Sequence, residues 1–281
     1  MNCENRIIAL PTMDGDPGAD YPRRHGVAGP AGEAQKQAYR NAVERIIHLF
    51  DDFGLAGRTT WFVNEIDVNW SADFPDLLKK FAARRDTVAL HVHHNGLFLS
   101  PRLISKESFL ESSAPAVKRI ESVTGTRICH YRSGCYHQRE YVYSALAEMG
   151  MEVISDVFPG LKVRKENGFD LDNSSIPLGV APWRHEDWNW LDYQSGSGRF
   201  LQIPVSAGAI DHLPLLPGKV LDNGITTVCW GIHPHEIQAR DGSISDAAVN
   251  ALKTALEGID KNLKPVYLNF DEFRKHSRKS N

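Results

Sequence analysis

The sequence predicts an α/β barrel, and three observations carry that prediction. Short apolar runs alternate with amphipathic helical stretches through the first 159 residues. Polar residues able to hold a metal or move a proton follow several of those runs. At 281 residues, the chain suits one large domain with a sizeable core. Strands alternating with helices imply a parallel sheet, and about seven or eight strands favour a closed one, with its working end where the strands' C-terminal ends meet. The expected organisation is one domain over residues 1–281, with a loop-rich insertion at about 160–200.

The elements follow in order. "RIIAL" opens as an apolar strand. From Glu33 to Phe53, apolar residues recur at Ala38, Ala42, Val43, Ile46, Ile47, Phe50 and Phe53, the stripe of an amphipathic helix that Gly54 ends. "RTTWFVNEI" reads as a strand, "ADFPDLLKKFAARRD" as a helix and "TVALHVHH" as a strand. "SKESFLESSAPAVKRIESVTG" reads as helical, with Pro115 either interrupting it or sitting in the first turn of a second piece. "RICHYRSGC" is a strand, "HQREYVYSALAEMG" a helix closed by Gly150, and "MEVISDVF" a strand. The rhythm then weakens until "RFLQIPVSAG", "TTVCWGIHPH", a helix from Ser245 to Ile259 and a last strand "PVYLNF".

Composition excludes several function classes. Hydrophobic residues make up 42% and charged residues 24%, as in an ordinary globular protein, and the formal net charge is −3. No basic block exceeds the tail "RKHSRKSN", read as a frayed, solvated end, so no nucleic-acid surface is expected. No apolar run approaches the ~18 residues of a membrane span. The N-terminus lacks a signal-peptide pattern, and the four cysteines form no CxxC pair. A reducing, cytoplasmic setting with unbridged thiols is the expectation.

Chemistry concentrates in pairs spaced by two: Asp14 and Asp16, His91 and His93, His233 and His235. That spacing puts both members on one face of an extended chain. Carboxylates and imidazoles meeting at converging strand ends suit zinc or another divalent transition metal. Each pair has a plainer reading: "DGD" as a turn, a strand histidine as a packed core residue, "HPHE" as a helix start. Their order along the strands, with Arg132 after the fourth, favours a constellation.

That order resembles the polysaccharide deacetylase family, the family-four carbohydrate esterases. The resemblance rests on "PTMDGDP", "LHVHHN", "YRSGCY", "MGMEVISDVFPG", "LQIPVSAG" and "IHPHE", and it runs from about Arg6 to Phe273. It implies a distorted (β/α)7-type barrel and a metal-dependent deacetylase. Asp14 would be the general base, Asp16 and His91 metal ligands, Arg132 the residue that orients Asp14, and His233 the general acid. The second histidine ligand of the usual pattern lies four residues after the first, where this chain has Asn95. Some divergent members have a His-x-His form, and His93 is the expected replacement if the chain stays extended; if the strand ends at His91 and the chain turns, Asn95 would supply a weaker oxygen ligand. His94 would point to the opposite face and serve packing or support a ligand.

If the site is so built, the chain hydrolyses the amide of an N-acylated sugar or a related small acylated amine. The "SGCY" turn is a candidate oxyanion donor. A cytoplasmic setting favours a soluble glycoconjugate or small molecule over a wall polymer. Loss of histidine at position 95 keeps open a metal-independent C–N hydrolase of allantoinase-like type. A non-catalytic carbohydrate-binding barrel is the third reading. The loop "WRHEDWNWLDY" carries Trp183, Trp188 and Trp190, either a platform for sugar rings or an anchor of the loop to the barrel, with His185, Glu186 and Asp187 of undetermined direction.

Overall fold

Twelve strands and eight helices are named in chain order: β1 (Ile8–Gly15), α1 (Glu33–Asp52), β2 (Thr60–Val63), α2 (Trp70–Asp73), α3 (Pro75–Ala83), β3 (Thr87–Val92), α4 (Lys106–Thr124), β4 (His130–Ser133), α5 (Glu140–Glu148), β5 (Val153–Ile154), β6 (Lys162–Arg164), β7 (Asp170–Asp172), β8 (Trp183–His185), β9 (Phe200–Gln202), β10 (Val205–Ala207), α6 (Leu216–Asp222), β11 (Thr227–Ile232), α7 (Asp246–Leu263), β12 (Val266–Tyr267) and α8 (Phe270–Lys279). This computed structural model describes residues 6–15, 32–94, 102–164 and 170–279.

The sheet runs β10-β11-β1-β2-β3-β4-β5-β9-β8, with β12 also pairing β1. All pairings along it are parallel except β8 with β9. It is a distorted (β/α) barrel. Among the described residues no pairing joins β10 to β8 or β9, so the sheet curls without closing. Through β5 the βα alternation is regular. From β6 to β10 each strand has only three residues, and β6 and β7 form a separate antiparallel hairpin.

Inward and outward faces follow the two-residue period of the strands. The outward face packs on the helices: α1 buries Tyr39, Ala42, Val43, Ile46, Ile47, Leu49 and Phe50, in one cluster with Met13, Trp61, Val63 and Trp230. Gly54, at φ 68°, lets the chain leave α1 through a bond from the Leu55 N–H to the Phe50 carbonyl, 2.8 Å. The inward face is layered. Leu10, Phe62, Ala89, Val153, Leu201 and Cys229 form an apolar lower layer, closed by Phe270 and Phe273 of α8. Above it the same parity brings Thr12, Asp14, His91, Arg132 and Ser155 into a buried polar layer.

Two expectations are corrected. Helix α4 runs unbroken through Pro115, because the proline sits on the exposed side, where water can serve the Glu111 carbonyl it leaves unbonded. Burial of Phe109, Ser113, Ala116, Val117 and Ile120 on the other side holds the axis. The C-terminal tail is not frayed through Lys279: α8 spans it, plugged by its two phenylalanines and tied at Arg274 and Arg278 to Glu152, at 2.7 and 2.6 Å. The strand "PVYLNF" accordingly reduces to Val266–Tyr267. No helix among the described residues is long and apolar enough to cross a membrane.

Candidate active site

The polar layer is organised by Arg132. Its side chain is fully buried, and all five of its N–H groups have acceptors. Nη1 donates to Asp14 Oδ1 at 2.7 Å and to Thr12 Oγ1 at 2.8 Å, both on β1. Nε donates to the Ser155 carbonyl at 3.0 Å, and Nη2 to Ser155 Oγ at 2.9 Å and to Cys229 Sγ at 3.3 Å. The guanidinium carbon lies 4.2 Å from the centre of the Phe62 ring. Burial works against this cation, but the charge and hydrogen bond of Asp14, together with other neighbouring groups, outweigh it and raise the Arg132 pKa. The ion pair is therefore internal rather than a surface contact.

Asp14 meets His233 on its other side. Its Oδ2 stands 3.9 Å from His233 Nε2. His233 directly follows β11, where Met13 pairs with Ile232, so the sheet register brings the two residues level. On the far side of the imidazole, Nδ1 is 3.6 Å from Glu236 Oε2, which also accepts the His233 backbone N–H at 2.7 Å. Burial raises the Glu236 pKa, yet bonding and charge from His233 more than reverse this and hold the carboxyl below its ordinary range. Each ring nitrogen of His233 thus faces a carboxylate oxygen.

The histidine motif divides in two. His91 and His93 belong to the inward face of β3 and its extension, with perpendicular rings 5.0 Å apart. His91 Nδ1 lies 3.0 Å from the Arg132 carbonyl, its register partner on β4. A proton on Nδ1 satisfies that carbonyl and leaves Nε2 carrying the lone pair, the tautomer a metal ligand needs. His94 turns the other way and is fully buried. It bonds the His137 carbonyl through Nε2 at 2.8 Å and stacks on the His137 ring at 4.7 Å. Burial pushes its pKa down to about 4, so it is a neutral packing residue. Asp16 and Asn95 lie outside the described residues.

Asp14, His91, His93 and His233 line one cavity of about 190 Å3, together with Ser133, Cys135, Tyr136 and Gly208. Its wall includes a tight turn, where Cys135 (φ 55°) and Tyr136 (φ 58°) are both left-handed. Such geometry is uncommon for residues with a Cβ and gathers at functional sites. Gly134 makes it possible, because a Cβ there would lie 2.3 Å from Cγ and Nδ1 of His93.

Several polar partners had weak sequence signals. Glu236 was legible only as the last residue of "HPHE", at the spacing of a capping pair. Asp156 lies deep beside the site and receives the Tyr143 hydroxyl at 3.1 and 3.0 Å; Gln202, with its amide oriented to donate, reaches it at 3.2 Å. Burial lifts its pKa to about 7. The tryptophan loop mostly anchors. Trp183 is buried against Val157 and Ile176, and Trp190 stacks on Tyr143 at 4.9 Å. His185 is buried edge-on to the same tyrosine. Trp188 is 67% exposed.

A second group, Cys129, His130 and Asp271, brings three ligand-type atoms within 4.8 Å of one another at the opposite end of the barrel. Arg274 donates to Asp271 there at 3.1 Å, so this carboxylate already has a cationic partner.

No known family profile matches the chain, and no curated protein matches it. Solved structures do. A candidate polysaccharide deacetylase from Mycobacterium smegmatis superposes with a TM-score of 0.67 at 16% identity, covering 100% of this chain and 93% of that one. An allantoinase superposes at 0.60 and 14% identity, covering 98% and 91%. A family 4 carbohydrate esterase pseudoenzyme from Bacillus anthracis superposes at 0.51 and 13% identity, covering 95% of this chain and 65% of that one. The fold is that of the polysaccharide deacetylases.

Proposed function

We propose that this chain, built on the polysaccharide deacetylase fold, is a metal-dependent hydrolase of amide C–N bonds. Its substrate class is an N-acylated sugar or a related small acylated amine, met in the cytoplasm. One observation carries the reading: Asp14 is held by Arg132 on one side and faces His233 on the other, in a cavity shared with His91 and His93.

The donor set fits a metal. His91 and His93 would hold it, with Asp16 as the carboxylate ligand, and imidazole with carboxylate suits zinc or another first-row divalent ion. When bound, the ion supplies Lewis acidity, polarising the scissile carbonyl and bringing the pKa of water down to roughly 7. The remaining work falls to the chain. Arg132 fixes the Asp14 carboxylate in one orientation and balances its charge. Asp14 accepts a proton as water attacks the amide carbon. A backbone N–H of the turn Ser133 to Tyr136 would receive the developing oxyanion. His233 delivers a proton to the amine nitrogen, which leaves poorly without one. Glu236 orients that imidazole through Nδ1.

The test is metal analysis combined with turnover on a panel of N-acylated amino sugars and acylated amines. The reading expects about one ion per chain, with hydrolysis abolished by chelation and by Asp14→Asn. Hydrolysis that survives removal of all metal would transfer the assignment to the metal-independent, allantoinase-like reading. Sugar binding with neither metal nor turnover would leave a carbohydrate-binding barrel.

A further inference from the structure

We propose that the foot of the barrel carries a second binding site, for a small phosphomonoester that also bears hydroxyl groups, such as a sugar phosphate. Nothing in it depends on the reaction proposed above. A cavity of about 380 Å3 opens where the loops entering β2 and β3 meet the start of α8. That volume falls within the roughly 300–1,000 Å3 of small-molecule sites. It lies at the N-terminal ends of the strands, opposite the cavity that Asp14 and His233 share.

The charge of the wall is unbalanced. It carries four cations, Arg58, Arg84, Arg85 and Lys275, against two carboxylates, Asp271 and Glu272. Both carboxylates are already engaged: Arg274 donates to Asp271 at 3.1 Å, and Arg58 pairs with Glu272. Arg84 pairs with Asp51 and Asp86 behind the wall. Arg85 and Lys275 are exposed and, among the described residues, have no carboxylate partner. Two unmatched cations on one cavity suit a dianion. A phosphomonoester brings close to two negative charges and three acceptor oxygens at neutral pH. Guanidinium holds such a group through paired N–H bonds, and ammonium holds it as a point charge. The carboxylates beside them accept hydrogen bonds from hydroxyls on the same ligand.

The position of Arg85 supplies the second reason. Helix α3 ends in a Schellman turn, with the Asp86 N–H bonded to the Phe81 carbonyl at 3.0 Å and the Arg85 N–H to the Ala82 carbonyl at 2.9 Å. Arg85 takes its left-handed position at φ 64°, where glycine is favoured and a Cβ is strained. An unpaired arginine at that position is accounted for by a ligand and not by the turn. Asn269, itself buried, clamps the two loops together. Its Nδ2 donates to the Gly57 carbonyl at 2.8 Å and to the Arg85 carbonyl at 3.2 Å. The cavity is thus shaped before any ligand arrives, which lowers the cost of binding.

Isothermal titration of the full chain with glucose 6-phosphate tests the site, independently of catalysis. Saturable binding with a Kd below about 1 mM is expected, with inorganic phosphate at least about fivefold weaker and glucose silent. Arg85→Gly removes the guanidinium and relieves the left-handed strain, so the variant should fold, yet bind at least about tenfold more weakly. Lys275→Ala, at an exposed position of α8, should weaken binding by at least about threefold. Lys253→Ala, exposed on α7, should leave it unchanged. No saturable binding of glucose 6-phosphate would overturn the proposal while leaving the hydrolase reading standing. Binding that neither Arg85→Gly nor Lys275→Ala weakens would place the anion elsewhere and also overturn it. Inorganic phosphate binding as tightly as the sugar phosphate would overturn the assignment of a hydroxylated ligand.

Discussion

Gly134→Ala isolates the positioning of His93 from every direct contact with substrate. The new Cβ would lie 2.3 Å from Cγ and Nδ1 of the ring and 2.5 Å from Cδ2, where ordinary contact begins at 3.4 Å. The ring must therefore retreat by roughly 1.1 Å, the difference between 3.4 and 2.3. A misplacement of about 1 Å in a catalytic constellation costs about a hundredfold in rate, or about 2.7 kcal/mol of transition-state stabilisation. Overpacking itself should cost about 1–3 kcal/mol of stability, leaving the fold intact. Gly134 has no left-handed backbone to strain, so the effect is steric alone. The assay pairs initial rates on an N-acylated amino sugar with cobalt(II) affinity read from its visible ligand-field bands, and both should fall. Gly258→Ala in α7 serves as the control, because a Cβ there meets nothing within 4 Å. If Gly134→Ala kept both rate and cobalt affinity within about threefold, less than 1 kcal/mol, the assignment of His93 would be wrong.

Other outcomes follow from the buried groups. Arg132→Met removes the cation paired with the buried Asp14, and urea unfolding should show a loss of about 3–5 kcal/mol. Asp156 has a native pKa near 7, raised by burial, against about 3.9 unfolded, so its contribution to stability is present below pH 4 and lost as pH rises to 7. Asp156→Asn should remove that slope, and its stability relative to the native chain should be greater at pH 8 than at pH 5. His94 and His137 behave oppositely. Burial lowers them to about 4 and about 3, so their contribution is present above pH 6.5 and lost as pH falls through those values. His137→Phe, which keeps the stack on His94, should flatten the acid limb of the urea midpoint. Trp188→Ala should leave thermal stability unchanged, and a rise in KM at constant kcat would reveal the exposed ring as a sugar platform.

The sequence exposed what is local and periodic. The parity of β1 and β3 placed Asp14 and His91 on one face, and the opposite parity separated His94 from its neighbours. The alternation of elements made the barrel legible as far as β5. What escaped was set by long-range partners. Arg132 was readable as a cation after the fourth strand, but its bonds to Ser155 and Cys229 cross 23 and 97 residues. The depth of Asp156 depends on Tyr143 and Gln202, which meet it only once the sheet curls. Pro115 argued for a break from local sterics alone, and the packing of its neighbours overrode it. Strands of three residues, such as β8 to β10, are too short to show any period.

One consequence of the Arg132 network bears on how such a protein can change. The residue that holds the proposed base also joins β1, β4, the end of β5 and β11, and rests on an aromatic ring of β2. On the proposed function, catalysis and mechanical integrity therefore share a single side chain. A lineage that drifts towards mere binding can shed His233 at the rim with little structural loss. It cannot shed Asp14 without also re-engineering the cation beneath it. Inactive descendants of this scaffold should thus keep the arginine and its carboxylate long after the proton donor has gone, and their sequences will look more competent than they are.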